Sequence, residues 1–205
     1  MIRAVVFDLG GVVLDSPMDV IAGTEALAGL EPGTLNRVAS NPDGAWALHE
    51  TGALTRAEFI ARFEQECRHH GGVIDVATLL DTVESYAQAR PRMIRAIGRL
   101  REAGYKVAAL TNNWESPNAD WDVAGFQGLF DVFVESWVEG VRKPDHAIYL
   151  RLLDRLEESA GACVFLDDIG RNLSTARRLG METIKVADVE QALAELAELV
   201  GVEGL

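Results

Sequence analysis

Residues 2–15 read IRAVVFDLGGVVLD, an apolar and β-branched run that stops at Asp8 and continues into the pair Gly10-Gly11. Such a run predicts a buried parallel strand whose carboxyl end opens into a tight loop. Ligands of open α/β sheets bind at these strand ends, where a carboxylate can act as a nucleophile or bind a hard cation. An acid at a strand end is also a common helix cap or turn former, so Asp8 alone does not decide between these interpretations.

The composition is typical of a soluble globular protein with one domain, or one domain and a small insertion. The chain has 205 residues, of which 48% are hydrophobic and 25% charged, and its net charge of −13 disfavours nucleic acid and anionic membranes as partners. Cys67 and Cys163 are far apart and lack metal-ligand spacing, which suits a reducing cytoplasm. No signal-peptide pattern and no apolar stretch of roughly 18–20 residues is found. We therefore expect a cytoplasmic protein.

The pattern along the chain predicts an α/β fold in which a helical segment is inserted after the first strand. Residues 16–89 carry apolar side chains three and four positions apart, and Thr55 with Glu58 forms a predicted capping box. From Pro91 onward, strands (106–110, 132–134, 162–166, 183–186) alternate with helices (92–103, 145–157, 172–179, 189–199). We therefore predict a Rossmann-like parallel sheet core, residues 1–15 and 90–205, with an inserted α-helical cap, residues 16–89.

Four polar clusters follow the predicted strands or lie in the loops beyond them. They are Asp8, Thr111-Asn112-Asn113, Lys143 and the acid pair Asp167-Asp168. Because the carboxyl ends of parallel strands share one edge of a sheet, these residues are expected to converge. An acid nucleophile, a hydroxyl with an amide, an ammonium and an acid pair are the groups that Mg²⁺-assisted phosphoryl transfer requires.

These clusters resemble the four motifs of the haloacid dehalogenase (HAD) hydrolase superfamily, and they occur in the family's order. The motifs are FDLGGV at 7–12, LTNN at 110–113, GVRKPD at 140–145 and FLDDIGRN at 165–172. The later segments are similar to the N-terminal phosphatase-type domain of soluble epoxide hydrolase and to the HAD domain joined to some acyl-CoA dehydrogenases. The resemblance runs from about residue 2 to 186 and is weakest in the helical insertion, which matches the family's cap in position and type.

The resemblance implies a role for each matching residue around the phosphoryl group. Asp8 attacks phosphorus and carries an aspartyl-phosphate. Thr111 and the backbone near Asn112 bind the phosphoryl oxygens. Lys143 neutralises the nucleophile and the charge that develops. The substrate implied is a small phosphorylated molecule.

The resemblance also implies a magnesium site beside the nucleophile. Asp168 holds Mg²⁺ together with Asp8 and the backbone carbonyl of Gly10. Asp167 lies behind these ligands or binds through water, and Asn172 orients the loop of the acid pair and Lys143.

Gly10 departs from the usual phosphatase motif, which has Asp two residues after the nucleophile as general acid and base. Gly10 supplies a carbonyl but no proton, and losing a general acid–base typically costs about 10²–10⁴ in rate. Some members of the superfamily also have Gly here. The change favours good leaving groups, or an acid supplied by the cap or by the substrate.

Two other functions remain open at this stage. A haloacid dehalogenase uses the same Asp to attack carbon without a metal, but it usually has an aromatic residue in place of Gly10 and Ser in place of Thr111, and it needs no metal-type acid pair. A phospho-ligand-binding protein that has lost turnover through Gly10 is the third possibility. The cap offers no motif that identifies a substrate.

Overall fold

Five parallel strands form one sheet in the computed structural model, which describes residues 1–115 and 126–205; residues 116–125 of the predicted core segment lie outside the described residues. The strands are β1 (Ala4–Phe7), β2 (Lys106–Thr111), β3 (Val132–Glu135), β4 (Cys163–Asp167) and β5 (Glu182–Lys185). Their order is β3-β2-β1-β4-β5, so the first strand is central. In the register, Phe7 lies beside Ala109 of β2 and Leu166 of β4.

The helices of the described residues fall into two groups. Five lie in the inserted segment, between the first strand and Pro91: α1 (Pro17–Leu27), α2 (Thr34–Ala39), α3 (Ala45–Glu50), α4 (Arg56–His69) and α5 (Val76–Tyr86). The others alternate with strands: α6 (Pro91–Glu102), α7 (Ser136–Glu139), α8 (His146–Leu156), α9 (Gly170–Arg178) and α10 (Val189–Val200). None of the helices described combines the length and the hydropathy that a membrane span requires.

The sheet is covered by helices on both faces. Alternate residues of β1 point to opposite faces, so Val5 and Phe7 pack with α6 and α10, whereas Ala4 and Val6 pack with α8 and α9. All four β1 residues are buried, because a strand between two helical layers has no solvent-facing side. The predicted α/β fold, with a parallel sheet wrapped by helices, is confirmed.

The inserted segment is helical, as predicted, and residues 16–88 contain no strand. Its helices bury a hydrophobic cluster of their own, with Phe59, Phe63 and Trp46 in edge or stacked ring contacts. The predicted capping box is present: the Glu58 N–H donates to the Thr55 hydroxyl oxygen, and the Thr55 N–H donates to the Glu58 carboxylate at 2.9 Å.

The two ends of the insertion pair with each other. The Asp15 N–H donates to the Gln88 carbonyl at 3.0 Å, and the Arg90 N–H donates to the Val13 carbonyl at 2.8 Å. Leu14 and Ala89 form an antiparallel bridge between these bonds. The chain therefore leaves the sheet layer and returns to it at adjacent backbone positions.

Candidate active site

The carboxyl ends of the strands bring the predicted polar residues to one edge of the sheet. Asp8 directly follows β1, Thr111 ends β2, and Asp167 ends β4 with Asp168 after it. Lys143 reaches the same edge from the loop between α7 and α8. Residues that are distant in sequence meet here because parallel strands end side by side.

Lys143 lies between two carboxylates at the centre of the site. Its Nζ is 2.8 Å from Asp8 Oδ1 and 2.8 Å from Asp167 Oδ2, and the side chain is 1% exposed. Burial disfavours the ammonium, but Asp167 and Asp8 outweigh it and raise the pKa of Lys143 above its usual value. The side chain is therefore a fixed positive charge beside Asp8.

The acids of the site repel further negative charge. Burial, followed by Asp167 and Asp168, raises the pKa of Asp8, while Lys143 opposes the rise. Burial and Asp167 likewise raise the pKa of Asp168 to about 6. Three carboxylates with one ammonium leave the site short of positive charge, and a cation is the group that would restore the balance.

The carboxylate oxygens of Asp8, Asp167 and Asp168 lie within 4.8 Å of one another and can hold a metal ion. Carboxylate and carbonyl oxygens are the ligands of a hard cation such as Mg²⁺, so the donor set fits. Asp168 is packed against Gly11, whose φ is +79°, and a Cβ there would lie 2.3 Å from Asp168 Oδ2. Any side chain at position 11 would displace the Asp168 carboxylate, so this position requires glycine.

Asp167 is committed to holding other groups of the site. One oxygen accepts from the Ile169 N–H at 2.7 Å, and Asn172 Nδ2 donates to both oxygens at 3.2 and 3.0 Å. The Tyr149 hydroxyl donates to the Asn172 carbonyl at 3.0 Å. Because Lys143 also contacts its second oxygen, Asp167 has little capacity left to bind a metal ion, whereas Asp8 and Asp168 have more.

Asn112 and Thr111 differ in their surroundings. The Asn112 side chain accepts from the Lys143 N–H at 2.8 Å and donates to the Lys143 carbonyl at 3.0 Å, so it fixes the Lys143 backbone. Within residues 1–115 and 126–205, the buried Thr111 hydroxyl makes one weak contact, with the Asn112 carbonyl at 3.5 Å. Thr111 lines a different cavity from the one that contains Asp8 and Lys143.

Two cavities open at this edge of the sheet. The polar cavity, of about 140 Å³, is named for the charged residues in its wall, which include Asp8, Lys143, Arg142 and Arg171; the rest of its lining is largely apolar. The apolar cavity, of about 170 Å³, is lined by side chains such as Leu14, Val83 and Trp114. The residues that line both are Gly10, Pro17, Trp46, Glu50 and Asn112.

The sequence did not point to three residues that border these cavities: Trp46, Glu50 and Arg142. Trp46 Nε1 donates to Glu50 Oε1 at 2.8 Å, and Arg142 Nη1 lies 3.0 Å from Glu50 Oε2. α3 is too short for a clear periodic pattern, and no motif marks it. The one available signal was the spacing of Trp46 and Glu50, which places them on the same face of a helix.

Comparison with known proteins agrees with the motifs. A family model described as haloacid dehalogenase-like hydrolase matches residues 2–180. The chain is 35% identical to acyl-CoA dehydrogenase family member 10 of Mus musculus, over 97% of this chain and 19% of that protein. It is 34% identical to bifunctional epoxide hydrolase 2 of Sus scrofa, over 98% of this chain and 39% of that protein. The chain thus spans well under half of the length of either relative.

Other matches extend over nearly whole chains. A sesquiterpene phosphatase, astK, of Aspergillus oryzae is 25% identical over 97% of both proteins. A HAD-like family hydrolase from Porphyromonas gingivalis has the same fold, with a TM-score of 0.73, 23% identity and 98% coverage of both chains. A HAD family enzyme from Bacteroides thetaiotaomicron, solved with magnesium and inorganic phosphate, has a TM-score of 0.64 and 18% identity, covering 90% of this chain and 94% of its own.

Proposed function

Because the chain belongs to the haloacid dehalogenase-like hydrolases, we propose that it is a Mg²⁺-dependent phosphatase. It hydrolyses a small phosphorylated metabolite through an aspartyl-phosphate on Asp8. The observation that carries the proposal is the contact of Lys143 Nζ with Asp8 and Asp167, at 2.8 Å each, beside the third carboxylate of Asp168. A phosphatase among the relatives that match over their full length gives independent support.

In this proposal Asp8 is the nucleophile. Its carboxylate attacks phosphorus, and the bond from phosphorus to the leaving oxygen breaks. Lys143 stabilises the charge that builds up on the phosphoryl oxygens, because its ammonium is already held beside Asp8 and needs no reorganisation. The backbone at Asn112, which borders both cavities, binds the remaining phosphoryl oxygens, and Thr111 contributes its hydroxyl from the side of the apolar cavity.

Asp8, Asp168 and the carbonyl oxygen of Gly10 would hold Mg²⁺. The bound ion would offset the repulsion between the carboxylates and the anionic substrate and would polarise the phosphoryl group. Asp167 keeps Lys143 in place from behind, and Asn172 orients Asp167 through its two hydrogen bonds.

Residues 16–89 act as the cap domain of this enzyme, and residues 1–15 and 90–205 as its core. The polar cavity is closed on one side by core residues such as Asp8 and Lys143 and on the other by insertion residues such as Met18, Asn36 and Trp46. A substrate in it would therefore contact both segments. Location in the cytoplasm remains a prediction from composition.

A dehalogenase is the weaker alternative. It needs one carboxylate and no metal, yet this site brings three carboxylates together, two of them in contact with Lys143. A binding protein without turnover is favoured only by Gly10, which offers no proton to a leaving group.

The test is phosphate release from para-nitrophenyl phosphate with Mg²⁺ and with a chelator. We expect release that needs Mg²⁺. Binding of Mg²⁺ with no release from a panel of aryl and alkyl phosphates would favour the binding protein. Release of halide from 2-haloacids in the presence of the chelator would favour the dehalogenase.

A further inference from the structure

The residue that replaces the missing acid has to meet a geometric condition. Once the phosphoryl group is beside Asp8, the leaving oxygen points away from the attacking carboxylate toward the rest of the substrate. A proton donor must reach that oxygen, so it has to border both the phosphoryl site and the space that receives the alcohol.

The two cavities of the site provide this junction. The polar cavity contains Asp8 and Lys143, and the apolar cavity offers room for the alcohol part of a substrate. Gly10, the position that lacks the acid, lines both of them. Among the five residues common to the two cavities, Glu50 is the one with a titratable side chain.

We propose that Glu50, on α3 of the inserted segment, supplies the proton that Gly10 cannot supply. The inference rests on the proposed phosphatase function and identifies a further catalytic residue for it.

The contacts of Glu50 hold its carboxyl group at the junction, and its Oε2 carries no aligned hydrogen bond. Oε1 accepts from Trp46 Nε1 at 2.8 Å, and the Glu50 carbonyl accepts from the Ser136 hydroxyl at 2.5 Å. Oε2 lies 3.0 Å from Arg142 Nη1, but the two atoms are not aligned as a hydrogen bond. The carboxyl group is thus positioned from both the inserted segment and the core.

The environment of Glu50 favours its protonated form more than water does. Burial raises the pKa of Glu50, and the charged groups that face it, Arg142, Lys143 and Arg171, lower it by less. A carboxyl group whose pKa is raised toward neutral pH is suited both to give a proton and to take one back.

The proton balance closes over the two chemical steps. In the first, Asp8 forms a bond to phosphorus, the bond to the leaving oxygen breaks, and that oxygen takes the Glu50 proton. In the second, the Glu50 carboxylate takes a proton from water, whose oxygen attacks the aspartyl-phosphate. Inorganic phosphate leaves, the Asp8 carboxylate is regenerated, and Glu50 is protonated again.

The other carboxylates of the apolar cavity do not meet the condition. Glu84 and Asp15 line that cavity but not the one that contains Asp8. Glu84 Oε1 already accepts from Trp114 Nε1 at 3.1 Å and from Arg56 at 3.0 Å. Asp15 lies 3.5 Å from the Arg90 guanidinium, in the segment where the insertion begins.

The test is a series of phosphate monoesters that differ in the pKa of the leaving alcohol, from nitrophenyl to alkyl, in the wild type and in Glu50→Gln. Without the proton, kcat/KM for alkyl esters is expected to fall by about 10²–10⁴, and much less for the nitrophenyl ester, whose leaving group needs no protonation. The nitrophenyl ester should instead give a burst of nitrophenol and a lower kcat, because water attack has lost its base.

Two further variants separate proton transfer from structural damage. Glu66 is a carboxylate outside both cavities that accepts from the Ala45 N–H at 3.0 Å and so holds the start of α3. Glu66→Gln should therefore change aryl and alkyl esters by the same factor. Gly10 has an ordinary φ, and a Cβ there would lie 3.4 Å from Pro17 Cδ, a normal contact. Gly10→Asp should restore alkyl turnover to Glu50→Gln.

The outcomes distinguish this inference from the function on which it rests. Absence of Mg²⁺-dependent release in the wild type would refute the phosphatase. Release with an equal loss for aryl and alkyl esters in Glu50→Gln, or with no loss, would refute the role of Glu50 alone. If Glu50→Gln does not fold, the wild-type series decides: a steep dependence of kcat/KM on leaving-group pKa would mean that no residue protonates the leaving oxygen.

Discussion

Replacing Lys143 by Met removes the ammonium from the centre of the site and keeps a side chain of similar length. The ammonium is 2.8 Å from both Asp8 and Asp167, and neither it nor Asp167 is reached by solvent. Removing one partner of a buried ion pair costs about 3–5 kcal/mol, because the remaining charge stays buried without compensation. At 2–4 °C per kcal/mol for a chain of this size, we expect Tm to fall by roughly 6–20 °C.

The pH dependence of this loss has a definite sign. Burial and the neighbouring acids raise the pKa of Asp8 in the folded protein. A group of this kind stabilises the fold below its unfolded pKa and loses that contribution as the pH rises through its folded pKa. Without Lys143 the folded pKa of Asp8 rises further. The loss in Lys143→Met is therefore expected to be largest in alkaline solution and to shrink on acidification.

The assay is urea denaturation of the wild type and Lys143→Met at pH 8 and pH 5. Lys185→Met is the matched control, because Lys185 is exposed at the end of β5 and should change the free energy of unfolding by less than about 0.5 kcal/mol. Adding Asp8→Asn to Lys143→Met should recover part of the stability at pH 8, since it removes one buried carboxylate that has lost its ion-pair partner. A loss that is the same at both pH values, or no loss, would refute the reasoning.

Two other substitutions test the nucleophile and the metal site. Asp8→Asn should abolish phosphate release while the protein stays folded, and it should weaken Mg²⁺ binding, followed by calorimetry, because one carboxylate ligand becomes a neutral amide; full activity in this variant would remove Asp8 from the role of nucleophile. Gly11→Ala should destabilise the fold by about 1–2 kcal/mol, because φ is +79°, and raise the Mg²⁺ concentration needed for half-maximal activity, because the new Cβ displaces Asp168. Gly98→Ala, on an exposed helix position with no atom nearby, is its control, and equal Mg²⁺ requirements in both variants would contradict the steric argument.

Much of the fold was predictable because its signals are local. The apolar run before Asp8 forms the central strand, and Thr55 and Glu58 form their capping box within four residues. The membership of the hydrolase family and the α/β class were also predicted correctly, since four motifs in a fixed order carry more information than any one of them.

The convergence of Asp8, Lys143 and the acid pair was expected from strand order, but the detailed contacts were not. The Lys143–Asp167 ion pair spans 24 residues and the Asn112–Lys143 hydrogen bonds span 31. Such contacts depend on how loops of different length meet, which no local pattern encodes. Asn112 was expected to contribute near the phosphoryl group, and the structure adds that its side chain fixes the Lys143 backbone.

Glu50 was missed for a different reason. Its burial arises from packing of α3 against core residues such as Ser136 and Arg142, which lie far away in sequence. An isolated acid on a six-residue helix gives no indication of that burial. Residues that become buried only through contacts between distant segments are therefore harder to predict than the strands of the sheet.

The paired ends of the insertion have a consequence for how the gene can change. Because Leu14 and Ala89 are neighbours, the core is closed across the insertion whatever lies between them. Lengthening a flexible connection costs little conformational entropy, about 0.6 kcal/mol per doubling. The length of residues 16–88 can therefore change while the loop after β1 and the start of α6 keep their places, but on the proposed role of Glu50 any replacement segment has to bring its own proton donor to the site.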